Sequence, residues 1–298
     1  MKKHNKFTRV VALFSLLLLF VISTAVLDYF SGYEIYSNVK YGDKAENVMD
    51  LYIPNEAYKR ENNGCVLLIH GGSWSGGDKS EEAARARLLA GRGYIVATMN
   101  YTLWSEDTAE EYTVSLVLDE IDAALAKVSN FAQERGIRVE KAATAGYSAG
   151  AHLAMLYAYS RADSSPIEIV FTANMAGPAE ISADVWGDDI AIIIGNRLSS
   201  VDITEEMLAS DGADEVLASI SPTSFISKSS PPTLIMHGDA DTVVPRANAE
   251  LLADKLADSS VRYDYVRLKD SDHSLMQNPL MHAWYYKLMI DYCEQYFQ

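Results

Sequence analysis

The pentapeptide Gly146-Tyr147-Ser148-Ala149-Gly150 constrains this chain more than any other stretch, because an apolar strand-like run, Ala142 to Ala145, enters it and a helix-like run, His152 to Tyr159, leaves it. Flanking glycines let a backbone turn sharply from strand to helix and expose one side chain at the apex, with the amide of the next residue aimed at the same point. Ser148 is the residue so presented. This is the setting of a nucleophile elbow, and a serine there is useful only if a base takes its proton, a carboxylate orients that base and amides receive an oxyanion.

Candidates for each role stand at the ends of other strand-like runs. Leu67 to Ile69 leads into His70-Gly71-Gly72-Ser73-Trp74, a glycine turn whose amides at Gly71 and Gly72, with that of Ala149, would form the oxyanion hole. Thr233 to Met236 leads into His237-Gly238-Asp239-Ala240-Asp241, which offers two carboxylates, Asp239 and Asp241. Val261 to Leu268 leads into a polar loop holding His273, the candidate base. Among the other histidines, His4 lies in the N-terminal segment, His70 and His237 sit in glycine turns that they would brace, His152 follows the serine by one helical turn and would point away, and His282 falls in the closing helix. Trp74 is expected to pack beside the glycine turn, and Tyr147 either to shield an acyl intermediate or to fill space.

These motifs in register, from about Tyr33 onward, resemble the esterase/lipase branch of the α/β-hydrolase superfamily, and within it bacterial feruloyl-esterase-like, acetyl-esterase-like and kynurenine-formamidase-like proteins. The resemblance implies nucleophile, acid and base in the order Ser148, Asp241, His273, and favours Asp241 over Asp239. It implies a mostly parallel central sheet with helices on both faces. One departure is visible: many relatives carry Tyr-Arg where this chain has Tyr101-Thr102.

The alternation of elements supports the same class. An opening pair of strands, Tyr33–Lys40 and Val48–Ile53, precedes strand Cys65–Ile69, helix Glu81–Leu89, strand Tyr94–Met99, helix Thr113–Glu134, the elbow, strand Ile167–Met175, and a closing helix Pro279–Phe297. Strands separated by helices of this length make a parallel sheet, whose ligands lie at the carboxyl ends of the strands. One catalytic domain over residues 33–298 is expected. Residues 177–230, which include Trp186, the apolar run Ile190–Ile194 and an acidic stretch, are expected to form a lid that shapes the pocket.

Residues 1–27 are a separate object. Lys2, Lys3, Lys6 and Arg9 precede the apolar Val10–Leu27, the layout of a secretory signal, cleaved after Ala25 or retained as a single-helix anchor. Either outcome implies export to the cell envelope or beyond. With 25 Lys and Arg against 41 Asp and Glu, the formal charge is −16, which disfavours nucleic acid as a partner. The histidines lack the spacing of a zinc site, no cofactor or metal is required, and the two cysteines, Cys65 and Cys293, are expected as buried thiols.

The expected activity is hydrolysis of carboxylic esters, of small molecules or of acyl groups on carbohydrate, through a serine acyl-enzyme. A peptidase or an amidase such as an arylformamidase on the same triad is the alternative. A non-catalytic binding protein on this scaffold would need a lost triad member, and none is missing.

Overall fold

The computed structural model describes residues 32–210 and 212–298, so the targeting segment expected at 1–27 lies outside the described residues. Within them the chain builds an eight-stranded sheet in the order β1-β2-β4-β3-β5-β6-β7-β8. The strands are β1 (Tyr33–Lys40), β2 (Val48–Pro54), β3 (Asn63–Ile69), β4 (Ile95–Met99), β5 (Val139–Tyr147), β6 (Glu168–Met175), β7 (Thr233–Gly238) and β8 (Tyr263–Leu268). The first two form an antiparallel hairpin, and β2 is antiparallel to β4. From β4 through β8 every pairing is parallel. This is the α/β-hydrolase fold that the motif order implied.

The central strands read as unbroken apolar runs because both faces of the sheet are covered. All residues of β3, β4 and β7 are buried. One face packs against helices α1 (Ala83–Ala90) and α9 (Pro279–Tyr296), through Ala86, Leu89, Tyr285 and Tyr292. The other packs against α2 (Val114–Gln133), α3 (Ala149–Ser160) and α8 (Ala247–Asp258), through Val117, Ile121, Leu153 and Leu252. Thr113 caps α2, its hydroxyl accepting from the Leu116 amide at 3.1 Å. Helix α3 is buried over Ala149 to Tyr159, as expected for a helix apolar on all sides, and its alanines at 151, 154 and 158 present no bulk to its neighbours.

Several boundaries differ from the sequence expectation. The elbow strand is longer, starting at Val139, and α3 begins at Ala149, immediately after the serine, rather than at His152. Residues 79–82 form a 3-10 turn before α1. The stretch 177–230 is largely helical, with α4 (Ala183–Trp186), α5 (Asp188–Ser199), α6 (Glu205–Ala209) and α7 (Asp214–Ser219) inserted between β6 and β7. Helix α8, between the strand before Asp241 and the strand before His273, was not anticipated. Cys65 and Cys293 are both buried and free. Burial pushes the Cys65 thiol up to about 12, so it is held as an inert thiol. Among the described residues, no helix is long and apolar enough to cross a membrane.

Candidate active site

Four strand ends converge on Ser148. It lies between β5 and α3 with φ 53° and ψ −123°, a region that a residue with a side chain occupies only when its surroundings impose it. The flanking glycines show what imposes it. A Cβ on Gly146 would sit 2.4 Å from the Gly150 carbonyl carbon, and one on Gly150 would sit 2.1 Å from the Ile69 carbonyl oxygen. Strand β5, helix α3 and the end of β3 are therefore pressed together closely enough that neither glycine tolerates substitution, and the Ser148 amide is tied to the Met175 carbonyl at 2.9 Å.

His273 reaches the serine from the loop after β8. Its Nε2 lies 3.0 Å from Ser148 Oγ, and its Nδ1 lies 2.7 Å from Asp241 Oδ2. The other Asp241 oxygen, Oδ1, accepts from the amides of Val243 and Val244, each at 2.9 Å. Burial is the largest influence on the Asp241 carboxyl and pushes it up. The bond to His273, together with the Val244 and Val243 amides, outweighs it and holds the carboxyl below the usual range, so Asp241 is an anion. The imidazole therefore donates through Nδ1 and keeps Nε2 free to accept from the serine hydroxyl.

Asp239, the competing carboxylate, faces elsewhere. Its Oδ1 accepts from the Asp270 amide at 2.6 Å, and its Oδ2 lies 3.5 Å from the Arg267 guanidinium. With the bond from the Ala240 amide to the Ser271 carbonyl at 3.0 Å, it zips the loop after β7 to the loop that carries His273. His237, buried below, donates from Nε2 to the Val244 carbonyl at 3.0 Å. Burial lowers its pKa, so it stays neutral and supports the turn of Asp241 rather than competing for its charge.

The glycine turn after β3 lies against the serine: a Cβ on Gly71 would come within 3.3 Å of Ser148 Cβ. The first helical bonds of α3 run from the Ala151 and His152 amides to the Ser148 carbonyl, at 3.0 and 3.1 Å, which leaves the Ala149 amide unused at the helix start. Gly71 thus lies against the serine, Gly72 is the next residue of the same turn, and Ala149 opens the helix with its amide free. The turn itself is strained, with Ser73 and Trp74 both at positive φ (52° and 60°), and it is braced from several sides. His70 stacks on Tyr101 with ring centroids 4.4 Å apart, and its Nδ1 donates to the Gly71 carbonyl at 2.8 Å. Trp74 Nε1 donates to His152 Nδ1 at 3.2 Å, and His152 Nε2 donates in turn to the Ile220 carbonyl at 2.8 Å. Both ring nitrogens of His152 are engaged by Trp74 and Ile220, and sequence reasoning missed that it anchors Trp74.

Thr102, at the departure from Tyr-Arg, is also accounted for. Its amide donates to Glu120 Oε2 at 2.8 Å, while Lys44 Nζ lies 3.6 Å from Glu120 Oε1 and Asn47 donates to the same oxygen at 3.0 Å. A lysine from the loop after β1 supplies the cation near this carboxylate.

A cavity of about 160 Å³ opens onto the serine. Its wall is formed by Trp74 and Ala149, by Val243 and Val244, and by Trp186, Ile190, Ile194 and Arg197 from the inserted helices. A larger cavity of about 560 Å³ lies between α1 and α9 and is lined by none of the residues around Ser148, so volume does not identify the site; the convergence of polar groups does. Arg197 and Val243 were not singled out from sequence. Arg197 carried a signal, being the only Lys or Arg between Arg161 and Lys228.

The profile of the BD-FAE family matches residues 49–256, which span the glycine turn, the elbow and Asp241. The chain belongs to the BD-FAE family. Individual relatives agree over shorter stretches. A probable isoprenylcysteine alpha-carbonyl methylesterase of rice (Oryza sativa subsp. japonica) is 31% identical over 126 residues, which cover 42% of this chain and 28% of the rice protein. An arylesterase of Saccharolobus solfataricus is 34% identical over 108 residues, or 35% of this chain and 34% of the arylesterase. This chain thus matches about a third or less of the length of these curated relatives. The fold of this BD-FAE member is shared with esterase B from Lactobacillus rhamnosis (TM-score 0.70, 20% identity, 95% of this chain and 96% of that one). It is shared equally with a carbohydrate esterase from gut microbiota (TM-score 0.69, 19% identity, 89% and 97%).

Proposed function

We propose that this BD-FAE protein is a serine hydrolase of carboxylic esters with short acyl or compact aryl groups, on small molecules or on carbohydrate. The observation that carries the reading is the unbroken relay from Ser148 Oγ through His273 to Asp241, at 3.0 and 2.7 Å, beside the Ala149 amide left free of helical bonding. His273 Nε2 takes the serine proton as Oγ attacks the ester carbonyl, and Asp241 holds the tautomer and stabilises the imidazolium. The amides of Gly72 and Ala149, with Gly71, receive the oxyanion; one such donor is worth about 3 kcal/mol in the transition state. His273 returns the proton to the leaving alcohol, and water then releases the acyl group by the same steps. In acylation the proton passes from Ser148 through His273 to the leaving alcohol; in deacylation it passes from the attacking water through His273 back to Ser148.

The names of the relatives support an ester rather than an amide bond, and a cavity of about 160 Å³ supports a short group on the side that enters it. The inserted helices act as the lid that shapes this cavity. The domain works outside the cytoplasmic membrane, delivered by the basic and apolar residues 1–27; N-terminal sequencing of the mature protein would show whether they are removed, and recovery of the full-length active chain solely from the cytosol would refute export.

A fluorophosphonate probe should label the protein at Ser148, and Ser148→Ala should lose both labelling and turnover of acetyl, butyryl and feruloyl esters while keeping its circular dichroism spectrum. Retained esterase activity in that variant, or turnover of anilides ahead of esters, would overturn the assignment.

A further inference from the structure

Arg197, on α5, is a lone cation in acidic surroundings: the sequence from Ala162 to Ser227 holds twelve Asp and Glu and no other Lys or Arg. Even so it makes no ion pair with a carboxylate within 4 Å among the described residues. Its guanidinium is half-buried and lies 4.5 Å over the Trp104 ring. One amino group, Nη1, donates to the Ser73 carbonyl at 2.9 Å, and Nε is buried without a partner. Burial lowers its pKa with no neighbouring carboxylate to compensate. A guanidinium pays heavily for lost water unless an acceptor repays it. Arg197 also lines the cavity that opens onto Ser148, where the remaining wall is mostly apolar.

We infer that Arg197 binds an anionic group of the substrate, so that the esters this protein prefers carry a carboxylate or similar acid a short chain away from the scissile carbonyl. The inference rests on the ester-hydrolase reading and deepens it. A planar guanidinium with donors left over matches a carboxylate in a charge-assisted pair. Its stacking on Trp104 and its bond to Ser73 fix its orientation in advance, so little side-chain freedom is lost on binding. The acid must be close to the ester, because the cavity is small and both groups face it.

The test compares esters matched in shape. Monomethyl succinate is set against methyl levulinate, which puts a neutral ketone where the acid was, and O-acetylglycolate against its amide, which moves the acid to the alcohol side; kcat/KM is measured for wild type, Arg197→Gln and Arg197→Lys. The ratio of acidic to neutral ester should fall about ten-fold or more in Arg197→Gln for at least one pair, with Arg197→Lys retaining part of it. A ratio unchanged in both pairs, whether the variants lose activity overall or not, would overturn the inference and leave Arg197 as a brace for the Ser73 turn. A second arm uses Ser148→Ala protein, in which the same ligands are titrated by the fluorescence of Trp74, Trp104 and Trp186. There Arg197→Gln should weaken monomethyl succinate, and not methyl levulinate, by about ten-fold or more. This arm reads the anion site even if the wild-type protein hydrolyses none of the esters, an outcome that would refute the hydrolase reading alone; equal affinity for the two ligands in the presence of Arg197 would refute the anion site.

Discussion

The Tyr147 hydroxyl donates to the backbone carbonyl of His273 across 2.8 Å, and the two rings lie 5.2 Å apart, although 126 positions separate the residues in sequence. The residue before the serine thus holds the loop that carries its base. Tyr147 thus does more than fill space: it ties the elbow to the loop of the base. The Tyr147→Phe variant keeps the ring and removes the bond, so kcat for a short-chain ester should fall about three- to ten-fold, equivalent to about 1 kcal/mol of positioning, with little change in melting temperature. An unchanged kcat would show that the zip between the two loops is sufficient by itself.

Strain at Ser148 has a measurable counterpart. At φ 53° and ψ −123°, glycine is at ease where alanine is not. Ser148→Gly should therefore be inactive yet more stable than Ser148→Ala, by about 1 kcal/mol, or about 2 °C or more in melting temperature. Equal melting temperatures in calorimetry would mean that the elbow stores no strain.

The two carboxylates of the loop after β7 should separate cleanly. Asp241→Asn loses the anion that selects the His273 tautomer, and a drop of about 10⁴ in kcat is expected. Asp239→Asn keeps an oxygen for the Asp270 amide and loses only a weak pairing with Arg267, so it should stay within about ten-fold of wild type. Steady-state kinetics with one ester decides the point, and equal losses would reassign the acid.

Acid should loosen the wall of the cavity through His152. Burial pushes its pKa down to about 4 from an ordinary 6.5, and Nδ1 must stay unprotonated to accept from Trp74. The unfolded chain then binds the extra proton between pH 6.5 and 4 while the folded one does not. This contribution is complete above pH 6.5 and is lost as the pH falls toward 4, by about 3 kcal/mol. His70 and His237, also buried and lowered, act in the same direction. In denaturant melts between pH 7.5 and 4.5, His152→Gln should be less stable than wild type at the upper end and lose less on acidification. A parallel pH dependence in the two proteins would exclude His152 as a source.

What the chain disclosed in advance follows from how locally each feature is determined. The elbow, the glycine turn and the loop of His273 each sit at the end of a strand, and a strand end followed by glycine or polar residues is visible over a few residues. Helix α8 was legible too, since Ala249, Leu252, Ala253 and Leu256 recur at helical spacing and are buried, but the motif beside it drew the reading to the turn. Three of the inserted helices were not legible: α4, α6 and α7 are of four to six residues, shorter than the window over which periodicity accumulates. The duty of Tyr147 and the anchoring of Trp74 by His152 both depend on partners far away in sequence. No local pattern encodes them.

The turn at Asp241, Val243 and Val244 does two jobs with one stretch of backbone. Its amides clamp the carboxylate that tunes the base, and its side chains form part of the surface that a bound acyl or alcohol group presses on. Diversification at positions 243 and 244 toward a bulkier or slimmer substrate would therefore be transmitted to the proton relay, so that chain-length preference and turnover rate should drift together across natural variants instead of evolving as independent traits.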